Sequence, residues 1–273
     1  MKTLDILFLG DIIGKPGRKI VKKYLSEEIR SFERRPDFII ANAENASHGF
    51  GLTERNYNEL INLDIDALTS GNHIWDKKEI FTYIDTADKL IRPLNYPEGT
   101  PGVGSRIFTI QDAAIAVINV LGRVFMAPID SPWTAVEDEI RKIRSKVKNP
   151  IIIIDFHAEA TAEKVSLGYF ADNLGVSAVI GTHTHIQTSD EKILYNGAAY
   201  ITDVGYCGAY HSIIGMDINN SIKRLITGIP ERYDVAPIDK AELNGVKLLI
   251  NVETGRAERI ERIKYINEIS EVS

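Results

Sequence analysis

The chain has 273 residues, of which 44% are hydrophobic and 26% charged, and its formal net charge is −6. This is ordinary globular composition, and the negative charge argues against a stable complex with DNA or RNA, which usually meet basic surfaces. No apolar run approaches the ~20 residues that cross a bilayer, no signal-peptide pattern is visible, and the single Cys207 excludes an internal disulfide and a thiolate zinc site, so we expect a cytoplasmic protein without membrane contact.

Strands and helices alternate through the first third of the chain. Apolar runs predict buried strands at residues 4–9, 37–41 and 66–69. Amphipathic spacing predicts helices at residues 18–32, 53–63 and 76–84, the second with Thr53 as its N-cap. Strand–helix–strand units of this kind favour parallel pairing.

Hairpins join the alternation in the rest of the chain. Strands at residues 106–110 and 114–120 flank a turn at Gln111-Asp112, and a second hairpin at 193–203 turns at Asn196-Gly197. A third hairpin joins residues 246–252 and 256–266, while 151–156 and 177–180 are strands and 131–146 and 160–174 helices. Parallel and antiparallel pairing together predict two mixed sheets covered by helices on both outer faces, in one α/β domain spanning residues 1–273.

Polar clusters follow immediately after five of the apolar runs. The clusters are Gly10-Asp11, Asn42-Ala43-Glu44-Asn45, Ser70-Gly71-Asn72-His73, Asp155-Phe156-His157-Ala158-Glu159 and Gly181-Thr182-His183-Thr184-His185. The carboxyl ends of parallel strands lie along one edge of a sheet, where ligands bind. We therefore expect these side chains to converge in space although they are scattered along the chain.

The donor types in these clusters predict a metal site. Imidazole and carboxylate groups without a thiolate suit Zn, Mn, Fe or Ni, and there are more donors than one ion needs. Two ions ~3.5–4 Å apart that share a carboxylate clamp the attacking and leaving oxygens of a displacement at phosphorus. A hydroxide between the metals would then be the nucleophile.

Each cluster also has a simpler interpretation. Asp11 could cap the following helix, and Glu44 with Asn45 could belong to a solvated loop. Asn72 and His73 could form a turn, and His157 alone could be a buried, hydrogen-bonded histidine. The metal interpretation is favoured because the simpler one needs five independent coincidences.

Two of these clusters resemble known signatures. Gly71-Asn72-His73 and Gly181-Thr182-His183-Thr184-His185 are similar to the GNH and GHxH motifs of calcineurin-like metallophosphoesterases, which have a four-layer αββα sandwich. The segments at residues 10–18, 42–45, 121–126 and 227–230 are similar to the YmdB-type branch. The similarity extends along the whole chain, and it includes Glu44 where most of the superfamily has a bridging aspartate.

The resemblance implies an activity and a set of ligands. Members of the YmdB-type branch are phosphodiesterases that hydrolyse cyclic nucleotides, notably 2′,3′-cyclic nucleotides, at a di-iron centre. The ligand types of this chain would also accept manganese or zinc. By resemblance, one metal is held by Asp11, Glu44 and His185, and the other by Glu44, Asn72, His157 and His183. Glu44 would bridge the two, Asn45 would face one of them, and His73 would protonate the leaving oxygen.

Other interpretations stay open at this stage. The same metals could serve a phosphomonoesterase or phosphoprotein phosphatase, or the chain could be a low-turnover metal- or nucleotide-binding regulator. A phosphate loop at residues 10–17 is a weak alternative, because Gly10 and Gly14 are one residue too close for that motif. Substrate contact by Lys15, Arg18 or His211, base stacking by Trp75 or Phe125, and homo-oligomer formation are left undecided.

Overall fold

The computed structural model describes residues 2–29, 35–230 and 232–269. Its strands, in chain order, are β1 (Thr3–Leu9), β2 (Asp11–Ile12), β3 (Phe38–Asn42), β4 (Ala67–Thr69), β5 (Ser105–Ile110), β6 (Ala113–Leu121), β7 (Ile151–His157), β8 (Ala178–Thr182), β9 (Lys192–Ile193), β10 (Ala199–Ile201), β11 (Tyr206–Ala209), β12 (Lys240–Asn251) and β13 (Ala257–Glu268). Its helices are α1 (Gly14–Lys23), continued by a π-helical turn at Tyr24–Glu28, α2 (Glu54–Ile61), α3 (Ile80–Tyr83), α4 (Pro132–Lys146), α5 (Thr161–Asn173) and α6 (Ile218–Thr227).

The strands form two mixed sheets. The first has the order β2-β11-β12-β1-β3-β4, with β13 also paired to β12, and the second has the order β5-β6-β7-β8-β10-β9. In the first sheet β1, β3 and β4 are parallel, and in the second β6, β7, β8 and β10 are parallel. The predicted hairpins β5–β6, β9–β10 and β12–β13 are all antiparallel pairs.

Alternate residues of β1 show why its sequence is continuously apolar. Ile6 and Phe8 pack between the two sheets, whereas Leu7 and Leu9 pack on the other face of the first sheet, beneath α1 and α2. A strand that is buried on both faces has no position at which a polar side chain would meet water. The outer face of the second sheet is covered in the same way by α4 and α5. The predicted four-layer αββα sandwich is confirmed.

Several element boundaries differ from the sequence prediction. Helix α1 begins at Gly14 rather than at residue 18, because Pro16 fits the first turn of a helix, where a missing N–H loses no hydrogen bond. The predicted end of this helix, at residue 32, lies outside the described residues. Helix α3 covers only Ile80–Tyr83 of the predicted 76–84. Strands β2 and β11 and helix α6 are additional elements. No helix in the described part of the chain has the length and apolarity that crossing a membrane requires.

Candidate metal centre

The five polar clusters meet where the carboxyl ends of the two sheets face each other. Asp11 lies on β2, and Glu44 and Asn45 follow β3. Asn72 and His73 follow β4. From the second sheet, His157 is the last residue of β7, and His183 and His185 follow β8. The structure thus brings together all of the side chains that the sequence singled out as metal ligands, from both sheets.

One group of donors surrounds the Nε2 atom of His157, whose side chain is fully buried. Glu44 Oε1 and His183 Nδ1 each lie 3.0 Å from it, and Asn72 Oδ1 lies 3.1 Å from it. Glu44, His157 and His183 can each direct one ligand atom at a common point. Four elements of the two sheets therefore deliver four donors to one small volume.

A second group lies beside the first. His185 Nε2 is 3.3 Å from Asn45 Nδ2 and 3.8 Å from Asp11 Oδ1. Asn45 Nδ2 also donates to Glu44 Oε1 at 3.2 Å, so the Glu44 carboxylate is common to both groups. Among the described residues, Asp11 Oδ1 and Asn45 Oδ1 are buried oxygens without a hydrogen-bond partner. A buried carboxylate oxygen is costly to leave unpaired, and a cation would satisfy it.

Each of the three histidines is oriented by a contact at its other ring nitrogen. The Thr182 hydroxyl donates to Asp155 Oδ1 at 2.6 Å, so it accepts from His157 Nδ1 at 2.9 Å. His183 Nε2 faces Glu159 Oε2 at 3.1 Å, and His185 Nδ1 donates to the Ile214 carbonyl at 3.2 Å. With that contact made, the inward-facing nitrogen of each ring is the one that a metal ion would bind, which is the arrangement of metal-bound histidines.

The electrostatics of the first group call for a positive charge. Burial lowers the pKa of His157, but the carboxylates of Glu44, Asp11 and Asp155 together outweigh burial and raise that pKa to about 9. Burial raises the pKa of Glu44, but His157 and His73 together outweigh it and lower that pKa to about 2. Burial and the His157 charge lower the pKa of His183 to about 3, and burial raises the pKa of Asp11 well above its ordinary value. The donor set and the unpaired oxygens fit metal ions.

The loop that carries His183 and His185 is held in an unusual conformation. Both residues have positive φ angles, 97° and 66°, which cost energy for any residue with a side chain. Between them, Thr184 donates from its backbone N–H and its hydroxyl to Asp203 Oδ2, at 3.0 and 2.7 Å. Asp203 is in turn paired with the buried Lys164 ammonium at 2.7 Å. The Lys164–Asp203 ion pair therefore holds the loop in place through Thr184.

His73 stands outside both donor groups. Its backbone N–H donates to Glu44 Oε2 at 2.9 Å, while its ring Nδ1 lies 2.8 Å from Asp76 Oδ2. Its ring contacts Phe50, with centroids 4.9 Å apart, and it lines the cavity that opens above the donors. A carboxylate at Nδ1 leaves Nε2 as the nitrogen that can deliver a proton to a bound molecule.

The cavity over the donors has a volume of about 570 Å³. Its lining includes members of the polar clusters, namely Glu44, Asn45, His73, Glu159, His183, Thr184 and His185, together with residues that lie outside those clusters. These are Ile13, Gly49, Phe50, Ile214, Met216, Arg224 and Tyr233. Arg224 lies on α6 and Tyr233 follows it, in a stretch for which the sequence predicted no helix or strand. A larger cavity of about 850 Å³ runs along α1, away from the donor groups.

The residues whose roles were left undecided lie elsewhere. Arg18 donates to the Ala46 carbonyl and pairs with Glu59 at 2.9 Å, so it supports the loop after β3. His211 lines the cavity along α1. Trp75 stacks on Phe81 with ring centroids 5.2 Å apart, and Phe125 is 90% exposed. Lys15, Arg18, His211, Trp75 and Phe125 are all absent from the described lining of the cavity over the donors.

Comparison with known proteins places the chain among phosphoesterases. The sequence model of the family described as YmdB-like protein matches residues 7–263. The 2′,3′-cyclic-nucleotide 2′-phosphodiesterase of Bacillus subtilis is 49% identical over 260 residues, covering 95% of this chain and 96% of that protein. A solved phosphatase from Mycoplasma pneumoniae is 34% identical, with a TM-score of 0.90 over 98% of this chain and 95% of that one. The NAD nucleotidase of Haemophilus influenzae, 12% identical with a TM-score of 0.60, shares the fold over 98% of this chain and 56% of its own.

Proposed function

The chain belongs to the YmdB-like family and is a phosphoric ester hydrolase, and on that premise we propose that it hydrolyses 2′,3′-cyclic nucleotides at a two-metal centre with His73 as the general acid. The relative from Bacillus subtilis, whose name states this activity, is similar to the chain over nearly its whole length. By the same likeness, the bond that breaks would be the one between phosphorus and the 2′ oxygen.

The observation that carries the proposal is the convergence of donors on either side of Glu44. Asn72, His157 and His183 would hold one ion together with Glu44, and Asp11, Asn45 and His185 would hold the other. The Glu44 carboxylate contacts members of both groups, which supports its role as the bridge. When bound, two such ions polarise a phosphodiester and lower the pKa of a water molecule towards neutrality.

The remaining chemistry belongs to the side chains of the chain. The leaving alkoxide needs a proton, and His73 lines the cavity beside the donors without joining them. Asp76 Oδ2 holds Nδ1 of His73, which orients the ring so that Nε2 is the nitrogen turned away from Asp76. Opening a five-membered cyclic diester breaks only one P–O bond, so one acid is sufficient.

We propose iron as the metal, with manganese and zinc as the alternatives. Imidazole, amide and carboxylate donors without a thiolate suit all three. The sole cysteine, Cys207, is buried, and burial raises the pKa of its thiol, so it offers no ligand to the site. A single unpaired cysteine also suits a reducing compartment, and we propose a cytoplasmic location.

Elemental analysis combined with substrate profiling tests the proposal. We expect two metal ions per chain in the purified protein, and faster hydrolysis of 2′,3′-cyclic than of 3′,5′-cyclic nucleotides. Turnover of p-nitrophenyl phosphate much faster than of its bis-ester would instead identify a phosphomonoesterase. Full metal content with negligible turnover of every ester would identify a regulatory metal-binding protein.

A further inference from the structure

The cavity over the donors is larger than a phosphodiester needs, and its lining combines two kinds of residue. Its volume of about 570 Å³ is in the range of sites that hold whole small molecules. One set consists of metal-ligand candidates and His73. The other consists of the apolar and aromatic residues Ile13, Phe50, Ile214, Met216 and Tyr233, together with Arg224.

A chain of ring contacts connects His73 to residues of this second set. The Phe50 ring is 4.9 Å from the His73 ring and 6.1 Å from the Tyr233 ring, edge to face in both cases. The Arg224 guanidinium lies over the Tyr233 ring, 4.3 Å from its centroid. Tyr233 is 37% exposed, so its ring surface is partly accessible to a ligand. Together, Phe50, Tyr233 and Arg224 form an aromatic wall.

Hydrogen bonds and apolar packing fix the positions of the residues in this wall. Asp217 caps α6 by accepting from Asn220, and its own backbone N–H donates to the Asp234 carbonyl at 2.8 Å. The segment that holds Tyr233 is thereby tied to the start of the helix that holds Arg224. Phe50 packs with Ile13 and Met216 in a small apolar cluster. The three members of the wall therefore come from separate segments held in one arrangement.

We infer that the aromatic wall is a subsite for the nucleobase of the substrate. Bases stack on aromatic side chains and on guanidinium planes with little dependence on sequence, because every base has a π-face. An apolar, aromatic surface next to a phosphate-binding cluster matches the two halves of a nucleotide. This inference rests on the proposed function, since it assigns the second half of the same substrate.

The first test separates base binding from phosphate chemistry with two substrates. We expect Tyr233→Ala to lower kcat/KM for 2′,3′-cyclic AMP by about 10- to 100-fold, mainly through KM. Hydrolysis of glycerol 1,2-cyclic phosphate, which has no base, is expected to stay within about 3-fold of wild type. Tyr233→Phe keeps the ring and should behave as wild type. Tyr195→Ala is the matched control, because Tyr195 is 93% exposed and lies outside the cavity.

Arg224 distinguishes stacking from simple attraction of an anion. Arg224→Lys keeps the charge but loses the planar group. We therefore expect it to weaken the binding of 2′,3′-cyclic AMP as much as Arg224→Gln does. A lysine variant with wild-type KM would show that the residue attracts phosphate rather than stacks, and would remove it from the subsite.

Equal losses on both substrates in Tyr233→Ala, or no loss on either, would overturn the inference.

A binding measurement keeps this inference separate from the proposed activity. Calorimetric titration of the metal-loaded protein with adenosine 3′-monophosphate needs no turnover. We expect Tyr233→Ala to weaken that affinity by about 10- to 100-fold and to leave the affinity for ribose 5-phosphate unchanged. If wild type hydrolyses no cyclic nucleotide yet shows this difference, the proposed function fails and the base subsite stands. Unchanged affinity for the nucleotide in Tyr233→Ala would remove the subsite whatever the activity.

Discussion

Asn72 and His73 are adjacent in sequence, yet their side chains have different surroundings. Asn72 Oδ1 lies 3.1 Å from the buried His157 Nε2, whereas the His73 ring contacts Asp76 and Phe50. We expect Asn72→Ala to lose metal, and His73→Ala to retain both metals and lose about 10²- to 10⁴-fold in kcat, the usual contribution of a general acid. Elemental analysis and steady-state kinetics on the same preparations check both outcomes. Wild-type turnover by His73→Ala would refute the general-acid role.

Gly71 lies so close to the donor groups that a side chain there would collide with them. A Cβ atom on this residue would lie 2.3 Å from Glu44 Oε2 and 2.4 Å from His157 Nε2, well inside van der Waals contact. We therefore expect Gly71→Ala to displace both ligands and to reduce bound metal to less than about a tenth of the wild-type amount, since each ligand is part of the shared centre.

Gly99→Ala is the control for the Gly71 variant, because a Cβ there would meet no atom within 4 Å beyond its chain neighbours. Its φ of 85° makes alanine costly at this position too, so the control can lose stability without touching a donor. Both proteins would be measured by elemental analysis and by thermal unfolding after chelation. Full metal content in Gly71→Ala would show that the donor groups do not bind metal in the arrangement seen here.

The sequence singled out the polar clusters at the sheet edge but not the residues of the cavity wall. The clusters that contain Asp11, Glu44, Asn72, His157 and His183 follow apolar runs, so local pattern was enough to find them. Their roles as metal ligands came from the resemblance and stay predictions. The wall was missed because its residues carry no local signal. Phe50 lies in a glycine-containing loop and Tyr233 in an irregular segment, and both reach the cavity only through long-range packing.

Among the elements, the helices whose first turn is capped by a nearby side chain were predicted well. Thr53 accepts from the Asn56 N–H as the N-cap of α2, and Ser131 accepts from Thr134 at the start of α4. Strands β2 and β11 were missed because they are short and form only by pairing with segments distant in sequence. They pair with each other in parallel, with Tyr206 opposite Asp11, and β11 also pairs antiparallel with β12. Helix α6 was missed although its periodic apolar residues are a local signal.

Thr184, in the loop after β8, is not itself a candidate metal ligand, but its contacts hold the loop that carries His183 and His185. Thr184→Val keeps the shape of the side chain but removes the 2.7 Å hydrogen bond to Asp203, while Asp203 keeps its partner Lys164. With one restraint lost, His183 and His185 can relax from their positive φ angles. We expect about 10- to 100-fold weaker metal binding, as is typical when a group supporting a metal ligand is lost.

Titration of the metal-free protein with Mn²⁺ measures the Thr184 effect without relying on activity. Thr86→Val is the matched control, because the Thr86 hydroxyl donates to the Tyr83 carbonyl at the end of α3, away from the donor groups. Equal affinities for Thr184→Val and Thr86→Val would show that the loop needs no support from Asp203.

Across the whole molecule, the donor groups join the two sheets. Asp11, Glu44 and Asn72 belong to the first sheet, and His157 and His183 to the second. Elsewhere the sheets meet through apolar packing, in the cluster that contains Phe8, Phe38 and Ile153. Metal bound at their common edge would therefore link both halves of the sandwich, and unfolding either sheet would release it.

Because the unfolded chain cannot present these donors together, metal binding should raise the free energy of unfolding. At a free metal concentration of 100 times Kd the gain is about 2.7 kcal/mol per site, and about 1 kcal/mol shifts Tm by roughly 2–4 °C in a chain of this size. We expect one occupied site to raise Tm by about 5–10 °C over chelated protein, in scanning calorimetry. Gly71→Ala should show no such rise at the same metal concentration. A rise of equal size in both proteins would mean that the stabilising metal binds somewhere other than at the edge where the two sheets meet.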